Sequence, residues 1–136
     1  MADMNSTALR RTIVLGALTG MRTLAGPMAL ARTHRSRVTG LVAALGGAEM
    51  IADKTSFVGN RIDPAPLAGR AVVGAIMGGV VAHESRESVV VGALIGASAA
   101  IAAAHLAFYV RTRLPVSNVV GGALEDAVVI GLMDRV

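Results

Sequence analysis

The sequence predicts an all-α protein: a multi-pass transmembrane helical bundle of four to five apolar segments, the first of them kinked or broken near Arg22–Pro27. Three observations predict it. The 136 residues are 54% hydrophobic, yet only 2% are aromatic and 16 are glycine. A water-soluble core of this size recruits several Phe, Tyr or Trp, whereas glycine is enriched in membrane helices. A mean hydropathy of +0.63 points the same way. Second, long apolar runs recur along the chain, separated by short polar connections. Third, a few ionisable side chains sit inside those runs. A charge at bilayer depth costs about 2.5–3.5 kcal/mol on insertion scales, so it faces a partner or a wet cavity. The length fits a single integral membrane domain, residues 1–136.

The apolar segments are 12–31, 38–52, 66–82, 89–110 and 116–133. A span takes about 20 residues, within about 17–25. The first and fourth meet this readily, the third and fifth only just. The second, VTGLVAALGGAEMIA, is short and carries Glu49; it crosses a thinned region or packs inside without crossing fully. In the first, Gly20, Gly26 and Pro27 surround Arg22, which predicts a helix disrupted there, with Arg22 at the break. DKTSFVGNRIDPAP is the longest loop, and Pro64 and Pro66 mark its exit into the third helix, because proline is tolerated in a first turn. HESRES joins the third and fourth segments, with Ser88 as N-cap. RTRLP joins the last two. Phe108 and Tyr109 ahead of Arg111 and Arg113 have the order of an interfacial anchor. Arg10, Arg11 and the Ala29-Leu30-Ala31 run imitate a signal peptide. Arg22 inside the apolar stretch, and the further apolar segments behind it, argue against cleavage.

A short pattern recurs at similar depth: Gly16-Ala17-Leu18, Gly74-Ala75-Ile76, Gly92-Ala93-Leu94 and Gly122-Ala123-Leu124. In the first three a second glycine follows four residues on, at Gly20, Gly78 and Gly96. This small-xxx-small spacing lets membrane helices approach closely. Composition alone accounts for the likeness between segments, so the pattern predicts helix packing rather than an internal duplication. In the last segment Asp126 takes the place of the second glycine.

The chain has no cysteine, which excludes disulfides, thiolate metal sites and a Cys nucleophile. Its net charge of +4 is almost wholly arginine, Lys54 being the only lysine, and this arginine- and alanine-rich usage fits an actinobacterial source. No basic stripe interleaved with aromatics is present, so nucleic acid is not an expected partner. With five spans the termini lie on opposite sides, and seven basic residues against five give a weak vote for a cytoplasmic N-terminus, a vote that lapses if the first segment is re-entrant.

The candidate charge network comprises Arg22, Glu49, Asp53, Lys54, Arg61, Glu125 and Asp126. Glu49 and Asp53 are four apart and share a face if helical. Arg22, Lys54 and Arg61 are cations available to them. Glu125 and Asp126 point about 100° apart on a helix and need not share a partner. Arg22 is expected to pair with one of them. Such a pair either fixes helix register or relays ions or protons. With three basic residues at hand, no metal is expected among the four carboxylates. His83-Glu84-Ser85-Arg86-Glu87 lacks the second histidine of a zinc-protease helix and reads as a polar loop. His105 reads as a helix-contact group, and no nucleophile–base spacing or phosphate-binding loop occurs.

Taken in order, Gly20-Met21-Arg22 with Gly26-Pro27, Ala48-Glu49 leading to Asp53-Lys54, Pro64 with Pro66, and Leu124-Glu125-Asp126 resemble a family of small bacterial membrane proteins. That family is catalogued as domain of unknown function 4126. The likeness covers most of the chain and implies a multi-pass all-helical membrane protein, without an established activity or catalytic residues. The Lys54 to Pro64 loop departs from the pattern in being less proline-rich.

These features predict a non-enzymatic, multi-pass protein of the bacterial cytoplasmic (inner) membrane, with no cofactor. Its expected role is an accessory or scaffolding subunit packed against a larger envelope transport complex, such as a lipid importer. Membrane lipid and other integral membrane subunits are then its partners. The alternative is a self-contained oligomeric transporter or channel that uses the intramembrane charges as a relay.

Overall fold

The computed structural model describes residues 4–33, 62–115 and 118–136. Among the described residues there are five helices and no strand: α1 (Ser6–Met21), α2 (Ala25–Thr33), α3 (Pro64–Glu84), α4 (Val89–Arg113) and α5 (Asn118–Met133). The second apolar segment, 38–52, lies outside the described residues.

The first segment does break, and it does more than kink. Asn5 caps α1, its side-chain oxygen accepting from Thr7 N–H at 3.1 Å. The helix stops at Arg22, whose backbone is extended (φ −139°, ψ 122°). It resumes at Ala25 with Pro27 in the first turn, where a missing N–H leaves no bond unmade. A Cβ on Gly26 would lie 2.8 Å from the Leu15 carbonyl oxygen. Along one continuous helix those residues would be about 16 Å apart. So α2 folds back against α1, and the expected single span over 12–31 is two short helices of 16 and 9 residues. Glycine at position 26 makes this possible by letting the α2 backbone meet Thr19 and Leu15 directly. Thr19 Oγ1 is itself satisfied inside the apolar contact, donating to the Leu15 carbonyl at 2.8 Å.

Pro64 opens α3 as the sequence predicts, with Asp63 at the N-cap. The end of α3 is a Schellman turn: Arg86 N–H bonds the His83 carbonyl at 3.1 Å, and Glu87 N–H bonds the Ala82 carbonyl at 2.8 Å. Its left-handed position is held by Arg86 (φ 58°) rather than glycine. That conformation costs an L side chain about 1–2 kcal/mol, partly offset by the chain entropy a glycine would lose. Arg86→Gly is therefore expected to raise stability by about 1 kcal/mol in thermal unfolding in detergent, and Arg86→Ala to give no gain. Ser88 then caps α4, its Oγ accepting from Val91 N–H at 3.4 Å.

Helices α3 and α4 are long and apolar enough to cross a membrane, with mean hydropathies of 1.6 and 2.1. They pack through backbone. Gly74 lies on Gly96 and Gly78 on Gly92; as one number rises the other falls, so the helices are antiparallel. Gly16 lies on Gly96 and Gly20 on Ala100; both numbers rise together, so α1 runs parallel to α4. Leu15, Leu18, Leu30, Met77 and Val81 fill the core with no exposed surface.

The two chain ends meet. Arg10 Nη2 donates to the Arg135 carbonyl at 3.3 Å, and Asn5 N–H donates to Glu87 Oε1 at 3.2 Å. Arg11 and Glu84 approach to 4.0 Å beside them. The start of α1, the α3–α4 turn and the end of α5 thus share one end of the bundle. This corrects the expectation of termini on opposite sides. The five-segment count treated the first segment as one crossing, whereas α2 turns back on α1.

Candidate functional site

Chain direction at the α1–α2 break decides where Arg22 goes. Because α1 ends there, the side chain leaves the helix cap and reaches α5, where Arg22 Nη2 lies 2.6 Å from Asp126 Oδ1. The next-door carboxylate serves another helix. Glu125 Oε2 stands 3.9 Å from Arg111 Nη1 of α4, with the Glu125 side chain only 11% exposed. Consecutive helical residues point about 100° apart, so one dipeptide ties α5 to the α1–α2 break and to α4 at once. Sequence reasoning left Arg22 to choose between the two acids; the structure brings it to Asp126. It also adds Arg111, a partner that reasoning placed at the interface rather than in the network. Glu49, Asp53, Lys54 and Arg61 lie outside the described residues.

All six glycines marked for packing, Gly16, Gly20, Gly74, Gly78, Gly92 and Gly96, sit at the α1–α3–α4 contacts, where a Cβ would overlap the facing helix. Helix α5 is attached differently. Its packing is against α1 and α2, with Val129 buried and Leu132, Met133 and Val136 set against the core.

Between α4 and α5 there remains a cleft of about 410 Å³, floored by Ala17 and Met21 of α1. Its walls include Ala103 and Ala107 of α4 and Gly121 and Leu124 of α5. Leu106, Val110, Leu114, Val128 and Leu132 complete the walls, and Arg111 and Glu125 are the ionisable residues in the lining, 3.9 Å apart from α4 to α5. Sequence reasoning missed this cleft. Its one local signal is the small-residue spacing of Ala103 and Ala107 leading to Arg111, which reads equally well as a packing stripe.

His83 and His105 are both exposed, and among the described residues no three acidic or histidine side chains gather as a metal site. What the arrangement can do is hold helices at fixed spacing and receive an apolar chain beside a charged rim.

No curated protein and no solved structure matches the chain. A family model described as domain of unknown function (DUF4126) matches residues 11–133, from the second turn of α1 to the last residue of α5. Over that span, which takes in the helix break, the glycine contacts and both ion pairs of α5, the chain belongs to the domain of unknown function 4126 family.

Proposed function

We propose that this protein is a non-enzymatic, multi-pass integral membrane protein that acts as an accessory or scaffolding subunit of a larger membrane assembly. Residence in lipid is supported by how little of its apolar surface the bundle covers. In the apolar stretches of α3 and α4 only 39% and 22% of residues are buried. Leu94, Leu106, Leu124 and Ile130 are 53–64% exposed. Water penalises such faces, and lipid does not. Among the described residues α3 and α4 are the two helices long and apolar enough to cross, and in this reading α1 and α5, of 16 residues each, cross beside them.

The observation that carries the subunit reading is the use made of the charges that interrupt the apolar segments. Arg22 and Asp126, and Arg111 and Glu125, pair with each other from one helix to the next. The α1–α3–α4 core beside them is closed by glycine backbone. Charges placed this way fix register, as a scaffold requires, and the outer faces of α4 and α5 are left for a partner helix. A host that handles envelope lipids fits the apolar cleft.

Purification through a tag in mild detergent tests this. Larger membrane proteins are expected to co-elute at fixed stoichiometry. Elution of the chain alone as a homo-oligomer would overturn the subunit reading in favour of a self-contained transporter using Arg22 and Asp126 as a relay.

A further inference from the structure

We infer that the outer face of α4, along the line of Ser98 and His105, docks a second copy of this chain, the two α4 helices running parallel. The inference rests on the membrane reading above and holds whether or not larger proteins co-elute. Ser98 and His105 are the polar residues of α4 ahead of Tyr109, in a helix with a mean hydropathy of 2.1. Both are exposed. They lie about 14 and 24 Å along the helix, inside hydrocarbon depth for a core of about 30 Å. They also point away from the rest of the bundle. Helix α4 packs on α1 and α3 through Gly92, Gly96 and Ala100. At about 100° per residue, His105 and Gly96 stand on opposite sides of the helix. Among the described residues nothing hydrogen-bonds the Ser98 hydroxyl or the His105 ring. Polar side chains inside a span face a protein partner or a wet cavity rather than lipid, and Ser and His are residues that hydrogen-bond from helix to helix. With the bundle on the far side of α4, that partner is another molecule.

Spacing and complementarity name the occupant. Ser98, His105 and Thr112 are seven residues apart, the period that keeps one line of side chains against a neighbour in a left-handed helix pair. Leu94 and Ala102, both exposed, extend the line. Ser98 and Ala102 are small enough to let a facing backbone approach, and both line a shallow groove beside Ile13 of α1. Copies of one chain share one orientation in the membrane. Two α4 helices related by a two-fold axis therefore run parallel and set equal residues at equal depth. Each group on the line then meets its own copy. A hydroxyl and a neutral imidazole each carry a donor and an acceptor, so each is complementary to itself. An Arg, Asp or Glu in the same place would repel its copy. From Leu94 to Thr112 no charged residue stands on the line; Arg111 and Arg113 flank Thr112, each about 100° round the helix. Thr112 closes the line at the helix end, its hydroxyl donating to the Tyr109 carbonyl at 3.0 Å. A foreign helix imposes no rule that like must meet like, whereas a two-fold pair does, and this face obeys it.

The absence of cysteine lets the face be mapped by disulfide crosslinking of the full-length protein. Leu94→Cys and Ala102→Cys lie on the line; Leu106→Cys and Val110→Cys are exposed elsewhere on α4. Each variant is reconstituted at low density in phosphatidylcholine vesicles, floated, and oxidised with copper phenanthroline. The first two are expected to form covalent dimers about tenfold more readily than the last two. Adding His105→Leu to Ala102→Cys is expected to lower its dimer about tenfold, and His105→Gln, which keeps a donor and an acceptor, to retain it. Equal crosslinking at all four positions, crosslinking confined to Leu106 and Val110, or a dimer indifferent to His105→Leu overturns the α4 pair. Variants that float and give no dimer also overturn it, and leave the membrane reading standing. A chain that fails to float defeats both. In native membranes the same oxidation is expected to give the same dimer. An adduct of Ala102→Cys with a different protein in its place assigns the face to a host subunit and overturns the second copy.

Discussion

Leucine at Gly96 is expected to abolish the folded bundle. Gly96 is where three helices meet by backbone. A Cβ there would overlap the Gly74 carbonyl and lie 3.1 Å from the Gly78 Cα, while Gly16 of α1 approaches the Gly96 carbonyl from the other side. No flexible side chain stands in these contacts to move aside, so α3 or α1 must shift as a whole. Overpacking costs typically about 1–3 kcal/mol, occasionally more. A branched side chain wedged between helices belongs above that range, because separating them also forfeits the dispersion contacts that hold membrane helices together. Even Gly96→Ala should be clearly destabilising. Gly69 and Gly131 are the internal controls. An added Cβ meets nothing within 4 Å at either, and alanine there should leave stability unchanged or raise it by about 0.5–1 kcal/mol. The folded fraction after detergent extraction, and the melting temperature, report the difference. A Gly96→Leu protein as stable as the parent would remove the glycine-contact account of the core.

The second large effect belongs to Arg22 and Asp126, and its size depends on what surrounds them. Their side chains are 56% and 45% exposed on the bundle surface. Facing water, a pair of this kind contributes about 0–1 kcal/mol. Facing lipid, a charge stripped of its partner costs about 2.5–3.5 kcal/mol on insertion scales. Arg22→Gln leaves Asp126 alone, and Asp126→Asn leaves Arg22 alone. Each is expected to lose about 2–3 kcal/mol in a bilayer. The double variant, which leaves no charge, should lose less than either, and the exchange Arg22→Asp with Asp126→Arg should recover most of the stability. Glu125→Gln should cost less, since its pair is longer and Arg111 near the end of α4 can extend its head toward water. Unfolding in bicelles, compared across the four Arg22 and Asp126 variants, measures the coupling. A loss below about 1 kcal/mol for both single variants would place the pair in water.

Local chemistry was legible from the residues. Pro64 and Ser88 set helix starts because a first turn tolerates proline and wants a hydroxyl. The paired glycines marked the α1–α3–α4 contacts because a four-residue spacing keeps small residues on one face. The break at Arg22 followed from the glycines and proline around it. What the residues did not yield is relative placement. Gly26 and Pro27 announce a break but not the direction taken after it, which is set by the distant contact of Gly26 with Thr19 and Leu15. Counting the first segment as a full span put the chain ends on opposite sides, and the re-entrant alternative that the sequence left open undoes that count. Glu125 and Asp126 differ by a fixed angle, yet which of them meets Arg22 depends on how α5 is rotated by its neighbours. The cleft arises from a spacing between helices, and spacing leaves no mark in a periodicity.

Everything here depends on a lipid-embedded bundle in which the start of α1, the α3–α4 turn and the end of α5 share one face. The cysteine-free chain allows a direct test. Single cysteines at Asn5, Ser85, Asp134 and Leu114 are labelled in intact and in opened cells with a maleimide that does not cross membranes. The first three are expected to label from one side together, and the cysteine at Leu114, at the far end of α4, from the other. Labelling of the Asn5 and Asp134 positions from opposite sides, or of all four alike in intact cells, would contradict the arrangement.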